Sequence, residues 1–333
     1  MTTFQRIART AARRMFLDRQ AAFWLAPLTE RRARVIDVID ETSDTKTFTL
    51  QPGPRWRGHR AGQFIPVELE LDGRRVRRCY SISSAPSAAT KRRIAITVKR
   101  VPGGQISNWL HDHVGPGMSV VIGPALGAFV VPEPAPGPLL LISGGSGITP
   151  VMSIVRDLAA RGVVGDVRFV HHAKRREDVA FLAELQALAA QHPGLTVDVV
   201  LDDVDGGFDE ARLAARVPDF ATRTTFLCGP AGLMARVERL WAEAGASTRL
   251  VVERFASPPA AVMAAGACTL LEELERAGER PPSGCRIGIC HTCTRKKVRG
   301  TVENLVTGVI SSAPDELIQL CVSVPRGDVE LAP

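Results

Sequence analysis

The spacing of apolar and polar positions changes character three times along the chain. Phe4, Ile7, Ala8, Ala11 and Met15 recur near helical spacing, with Arg6, Arg9, Arg13 and Arg14 between them. That pattern predicts a basic amphipathic helix. A second apolar patch, Phe23-Trp24-Leu25, ends at Pro27. From Arg34 the pattern shortens to β-rich runs: Arg34 to Ile39, Lys46 to Gln51, Phe64 to Leu71, Val76 to Ser83 and Ile94 to Val101. Gly and Pro turns separate them, including Asp72-Gly73 and Pro102-Gly103-Gly104. This spacing predicts an antiparallel sandwich or barrel.

The Pro-rich stretch from Pro132 to Pro138 reads as a linker. Beyond it the strands become continuously apolar and alternate with helices. Leu139 to Ser143 leads to a helix ending near Arg161-Gly162, and Val167 to Val170 to a helix over Phe181 to Ala190. Thr196 to Leu201 precedes Glu210 to Arg216, Thr225 to Cys228 precedes Gly232 to Ala244, and Arg249 to Val252 closes the set. The alternation predicts a doubly wound parallel α/β domain with ligands at the carboxyl ends of its strands. A last helix is expected over Thr269 to Ala277. The chain therefore divides into a basic leader (1–34), a β domain (35–133), an α/β domain (134–255) and a cysteine-rich segment (256–333), with no internal repeat.

A length of 333 residues suffices for two or three domains, and 45% hydrophobic with 23% charged residues is ordinary for a soluble globular protein. The leader holds eight arginines against two acids, so it carries nearly all of the net charge of +7. The basic balance therefore belongs to a short arm and does not argue for nucleic acid. No run of about 18 apolar residues exists, and the leader lacks the apolar core and cleavage site of a signal peptide. Seven cysteines without such a signal fit a reducing, cytoplasmic setting. Residues 1–30 read either as a helix lying on an anionic membrane surface, which would make the protein peripheral to the membrane, or as one packed on the next domain, or as a partly disordered arm.

The chemistry centres on Cys285, Cys290 and Cys293 in C-x4-C-x2-C spacing, with Cys321 after 27 intervening residues. This is the plant-type ligand pattern of a 2Fe-2S cluster. A zinc ribbon would use two short cysteine knuckles, whereas one C-x2-C exists here. A disulfide framework suits small secreted chains rather than this one. In the β domain, Arg78-Cys79-Tyr80-Ser81 would put a guanidinium and an aromatic ring on one strand face, which suits a flavin nucleotide, though an ordinary strand has the same sequence. Gly103-Gly104-Gln105-Ile106-Ser107 opens a helix and offers free N–H groups to a phosphate, or simply makes a turn. In the α/β domain Gly145-Ser146-Gly147-Ile148-Thr149-Pro150 follows the first strand and allows close approach to a pyrophosphate. Lys174, Arg175 and Arg176 end the second strand, where cations favour a 2′-phosphate and hence NADPH, with NADH as the other possibility. Cys228-Gly229-Pro230 ends the fourth strand, where a small side chain can adjoin a nicotinamide.

Taken in this order, the five motifs resemble the ferredoxin-NADP reductase superfamily fused to a C-terminal 2Fe-2S domain, as in the reductase components of oxygenases, hydroxylases and fatty-acid desaturases. The resemblance spans about residues 32–333. It implies an antiparallel β-barrel FAD domain, an α/β doubly wound NAD(P)-binding domain and an α+β ferredoxin-like domain. It implies that Arg78, Tyr80 and Ser81 hold the flavin, and that Gly103, Gly104 and Ser107 bind a pyrophosphate, hence FAD. Gly145, Gly147, Thr149 and Pro150 would bind NADPH, and Cys228 and Gly229 would flank the nicotinamide. Glu253 and Phe255 match a terminal Glu-x-Phe of related chains. Tyr80, Ser81 and Cys228 would adjoin the reacting atoms, and no general acid or base is needed. The expected activity is electron transfer from NADPH through FAD and the cluster to a separate acceptor protein. The basic leader tilts the acceptor toward a membrane di-iron desaturase or hydroxylase. A soluble Rieske oxygenase, a cytochrome P450 or a non-catalytic redox sensor are the alternatives. The segment between Phe255 and Cys268 is shorter than the usual entry to such a ferredoxin domain, which implies a truncated strand there.

Overall fold

Alternation of buried and exposed residues builds the first domain. In β1 (Arg32–Thr42) Ala33 and Val35 point inward, and in β2 (Thr45–Pro52) Phe48 and Leu50 do the same. With β3 (Phe64–Leu71), β4 (Arg74–Ser81), β5 (Ile94–Lys99) and β6 (Ser119–Ile122) they form one antiparallel sheet in the order β4-β3-β6-β1-β2-β5. The two outer strands meet through the Ile82–Ile96 bridge and Ser83 N–H donating to the Ala95 carbonyl at 2.8 Å, so the sheet closes into the expected barrel. β1 starts at Arg32, so three residues assigned to the leader belong to the barrel. β6 is a strand the sequence reading does not contain. Its four residues are too few to show a period, yet they fill the gap between β3 and β1. Helix α1 (Gln105–His113) packs against β4 and buries Ile106 and Leu110 in the barrel core.

This computed structural model describes residues 31–71, 74–86, 93–135, 137–255, 268–279, 281–283, 286, 288 and 291–332. The amphipathic reading of residues 1–30 and its membrane contact, the Asp72-Gly73 turn, the shortened entry at 256–267, and Cys285 and Cys290 lie outside the described residues. Among the described residues no helix is long and apolar enough to cross a membrane.

The second domain has five parallel strands: β7 (Leu139–Gly144), β8 (Val167–Ala173), β9 (Leu195–Leu201), β10 (Thr224–Cys228) and β11 (Leu250–Glu253), in the order β11-β10-β7-β8-β9. All six residues of β7 are buried, as a strand covered on both faces requires. Helices α2 (Ile148–Ala160) and α3 (Leu182–Gln191) cover one face, while α4 (Glu210–Arg216) and α5 (Ala231–Glu243) cover the other. The first face continues into the barrel. Ala61 and Phe129 belong to its core, and the Phe129 ring meets Phe226 of β10 edge-on at 5.2 Å.

The third segment begins with α6 (Leu270–Arg276), whose Thr269 and Glu272 form a reciprocal capping box. Two three-stranded sheets follow. One holds β12 (Thr294–Arg299), β15 (Glu316–Gln319) and β17 (Glu330–Leu331). The other holds β13 (Val302–Asn304), β14 (Ile310–Ser311) and β16 (Ser323–Pro325). Leu270 and Leu271 of α6 pack on Leu320 and Val322. Lys297 is fully buried, and its ammonium donates to the Gly300 and Ser311 carbonyls at 3.0 Å and lies 3.2 Å from Glu316, tying the two sheets together.

Phe129 is therefore a core residue contributed by one domain to another. Phe129→Ala should lower stability by about 3–5 kcal/mol in urea unfolding. Phe255→Ala, at a residue 43% exposed, should stay within about 0.5 kcal/mol.

Candidate functional site

In the parallel sheet the chain runs outward from β7 through β8 to β9, then returns to β10 on the other side of β7. The crevice at this switch point lies outside the carboxyl ends of β7 and β10. The β7 loop, Gly144 to Gly147, and the β10 loop, Cys228-Gly229, meet there. A Cβ on Gly147 would stand 2.1 Å from the Cys228 carbonyl oxygen, so only glycine permits this approach. Thr149 Oγ1 donates to the Ser146 carbonyl at 3.0 Å, and Pro150 sits in the first turn of α2, where an N–H is dispensable. No side chain caps this helix start among the described residues; the Ile148 N–H donates to the Gly145 and Ser146 carbonyls and Pro150 has none, so the glycine loop offers close backbone approach more than free first-turn amides. The fold thus brings Gly145, Gly147, Thr149, Pro150, Cys228 and Gly229 to one place.

A cleft of about 630 Å³ opens from these loops, lined by Gly145, Lys174, Arg175, Phe208 and Arg236 among others. Arg175 is shared with carboxylates, 3.4 Å from Glu177 and 3.5 Å from Asp203. Arg236 was not singled out from the sequence. It lies on α5, held by Glu210 at 2.6 Å and stacked 5.4 Å over the Phe208 ring. A lone basic residue on a helix face carries no linear signal of such a role.

Glu253, Cys228, Ser143 and His171 are register partners across four strands, so their side chains share one face in a single row. Burial pushes the Glu253 carboxyl up to about 7. Burial, and then the charge of Glu253, pushes the Cys228 thiol well up. Burial holds His171 down to about 3, and its Nδ1 lies 2.7 Å from Ser143 Oγ. Each shift favours the neutral form.

On the barrel, Arg78 and Tyr80 lie on one face of β4, with Cys79 and Ser81 on the other. Tyr80 packs on the barrel core, and burial raises its phenol pKa. Ser81 is buried. Helix α1, which follows Gly103 and Gly104 and contains Ser107, packs on β4, the strand that bears Arg78 and Tyr80. Ser107 Oγ accepts from Val101 N–H at 3.2 Å, and no side chain caps α1 among the described residues. An uncapped first turn on a helix that packs against this strand fits a flavin dinucleotide's phosphates. The exit of β4 is gripped by the α/β domain. Arg156 donates to the Ser83 carbonyl at 2.6 Å and Ser153 to the Ser84 carbonyl at 2.7 Å. Glu184 holds Arg156 through two bonds, at 2.8 and 2.5 Å.

In the third segment Cys293 and Cys321 are buried together. Cys321 N–H lies 3.5 Å from Cys293 Sγ, and Gly288 N–H lies 3.3 Å from Cys321 Sγ. Arg286, Gly288 and His291 all have left-handed backbones, which coils the loop so that N–H groups face sulfur. At Gly288, with φ +76°, a Cβ would also meet Val322 at 3.0 Å. Gln319 braces the loop by donating to the Gly288 carbonyl at 2.6 Å. Buried sulfurs that accept backbone N–H groups suit thiolate ligands, and so fit a 2Fe-2S cluster.

Two family descriptions match the chain: an oxidoreductase FAD-binding domain over residues 32–130 and an oxidoreductase NAD-binding domain over residues 141–239. The chain is 39% identical to the NADPH oxidoreductase of Mycobacterium tuberculosis, over 91% of this chain and 84% of that one. It is 31% identical to the glycine betaine monooxygenase reductase subunit of Chromohalobacter salexigens, over 90% of this chain and 94% of that one. Its fold matches phthalate dioxygenase reductase with a TM-score of 0.64 at 23% identity, covering 92% of this chain and 98% of that one. That structure is titled a modular structure for electron transfer from pyridine nucleotides to a 2Fe-2S centre.

Glu253 has a consequence for stability. Its folded pKa, about 7, lies above the 4.5 of a free glutamate, so the folded state disfavours the ionised form. Stability should fall as pH rises from 4.5 through 7, and Glu253→Gln should remove that fall. Urea unfolding should show variant and wild type alike below pH 4.5. Above neutrality the variant should be more stable by about 1–3 kcal/mol.

Proposed function

The chain belongs to the ferredoxin-reductase-like family of FAD- and NAD-binding oxidoreductases, and from that premise we propose that it carries electrons from NADPH through FAD and a 2Fe-2S cluster to an oxygenase component. The observation that supports this best is the convergence of three sites on one strand. Helix α1 packs on β4, the helix that leaves the switch-point loop grips the exit of β4 through Ser153 and Arg156, and Arg77 of β4 reaches Thr292 next to the buried Cys293. One NADPH yields NADP⁺, one proton and two electrons, and two acceptor molecules take one electron each. The chemistry that bound FAD and a bound cluster supply is the conversion of one hydride transfer into two single-electron deliveries.

The residues of the chain bind and orient. Arg78 offsets flavin phosphate charge, with Gly103, Gly104 and Ser107 at the uncapped turn. Tyr80 and Ser81 lie where the isoalloxazine ring would be held. Gly145, Gly147, Thr149 and Pro150 receive the dinucleotide, and Cys228 and Gly229 border its nicotinamide. Lys174 and Arg175, joined by Arg236, meet a 2′-phosphate. Cys285, Cys290, Cys293 and Cys321 are the cluster ligands. The hydride step itself asks no side chain to move a proton, and the one proton is released when the two electrons depart singly. An oxygenase acceptor replaces the desaturase expected from the basic leader. That expectation rested on residues outside the described ones, while the glycine betaine relative is named a monooxygenase reductase subunit. The relative named an NADPH oxidoreductase supports the preference for NADPH.

Purified protein should contain FAD, with about two irons and two acid-labile sulfides per chain, by absorbance and chemical assay. Cys321→Ser should lose the iron and sulfide, and with them the reduction of a one-electron acceptor protein. Stoichiometric zinc without sulfide would overturn the cluster assignment.

Lys174→Ala with Arg175→Ala should raise KM for NADPH about tenfold, since each charge-assisted contact to a phosphate contributes on the order of 1.5–3 kcal/mol. KM for NADH should change little. A wild-type enzyme that prefers NADH would refute the reading of these cations.

A further inference from the structure

Strand β4 holds a side chain that reaches out of the barrel to the cysteine segment. Arg77 stands opposite Glu68 in the β3–β4 ladder. The Glu68 carboxylate oxygen Oε2 accepts from Arg77 Nη2 at 2.7 Å and from Nε at 3.3 Å, which sets the guanidinium's direction. Its remaining arm, Nη1, donates to Thr292 Oγ1 at 3.0 Å, across 215 positions of sequence. Thr292 lies between His291, whose backbone is left-handed, and Cys293, which is buried. Displacing Thr292 therefore displaces the neighbouring cysteine. Arg78 follows Arg77 directly on the same strand, and Tyr80 and Ser81 stand at its end.

We propose that Arg77, clamped by Glu68, is a positioning residue that latches Thr292 of the cysteine loop onto β4 and so fixes the separation between the flavin site and the cysteine site. The proposal rests on the functional reading above for its consequence, but not for the contact itself. A rigid planar fork held by one carboxylate loses little freedom on making a further bond, which makes arginine suited to the task and lysine unsuited. Both Arg77 and Glu68 are partly buried, with side-chain exposures of 34% and 16%, so solvent competes only in part. Loss of one such charge-assisted bond shifts the ratio of docked to undocked loop by about tenfold. Electron transfer between the two sites depends steeply on their separation, whereas hydride transfer at the switch-point crevice does not involve this contact.

The test uses the full chain with its cofactors and three variants. Thr292→Val removes the acceptor at nearly constant shape, Arg77→Met removes the donor, and Thr292→Ser restores the hydroxyl. Amide hydrogen exchange of the peptide spanning residues 286–294 should quicken about tenfold in Thr292→Val and Arg77→Met and return to the wild-type rate in Thr292→Ser. In the same proteins the ratio of NADPH-driven cytochrome c reduction to ferricyanide reduction should fall about tenfold, with ferricyanide reduction unchanged. Unchanged exchange in both disruptive variants overturns the latch. Faster exchange with an unchanged ratio overturns the positioning role and leaves a packing contact. If the wild type holds no iron and sulfide, the functional reading fails, and exchange alone still decides whether the latch exists.

Discussion

Two carbonyls that leave a sheet without strand partners tie this molecule together. Where β4 ends, Ser83 and Ser84 can no longer satisfy both polar groups within the barrel, and a buried carbonyl left unpaired is costly. Two donors come from another domain, Arg156 to the Ser83 carbonyl and Ser153 to the Ser84 carbonyl, and from the barrel itself His59 Nε2 lies 3.2 Å from the Ser84 carbonyl. Arg156 is itself immobilised by Glu184 and lies 4.6 Å over the Phe181 ring. The need to satisfy one strand end thereby sets how the α/β domain sits on the barrel. Phe129 reinforces that seating by filling the far domain's core. With Arg77 reaching Thr292, one eight-residue strand and its exit connect to all three parts of the chain.

The electrostatics of the crevice divide into a neutral floor and a charged rim. Burial drives Glu253, Cys228 and His171 each toward the uncharged form, so the row of side chains beneath the strand ends carries little charge below neutrality, and Glu253 gains its charge only as the pH rises through about 7. The cations stand farther out, at Lys174, Arg175 and Arg236, and two of these arginines are already paired with acids. Such pairing preorganises a guanidinium at a defined place while diluting its charge.

Much of the architecture was legible in the sequence because period follows from backbone geometry. Two-residue alternation marked β1 to β5, continuous apolar runs marked β7 to β11, and the glycines and prolines marked the turns between them. Of the four spaced cysteines, the described Cys293 and Cys321 are brought together in a buried position. β6 was not legible, because Ser119–Ile122 is too short to show any period and becomes a strand only when β1 and β3 flank it. The small strands of the last segment, several of two or three residues, owe their existence to the same kind of neighbour.

The charged residues that link the parts show the limit most plainly. Arg77, Arg156 and Arg236 read as ordinary surface arginines, since nothing within a few positions of each distinguishes it from the others. Their partners Thr292, Ser83 and Glu210 lie 215, 73 and 26 positions away. The sequence by itself determined which segments form strands and helices and which loops are rich in glycine or cysteine, because those depend on local torsions and periodicity. Only the tertiary structure decided which carbonyl lacks a partner and which guanidinium reaches it, because a hydrogen bond forms over about 3 Å of space regardless of the length of chain between its ends.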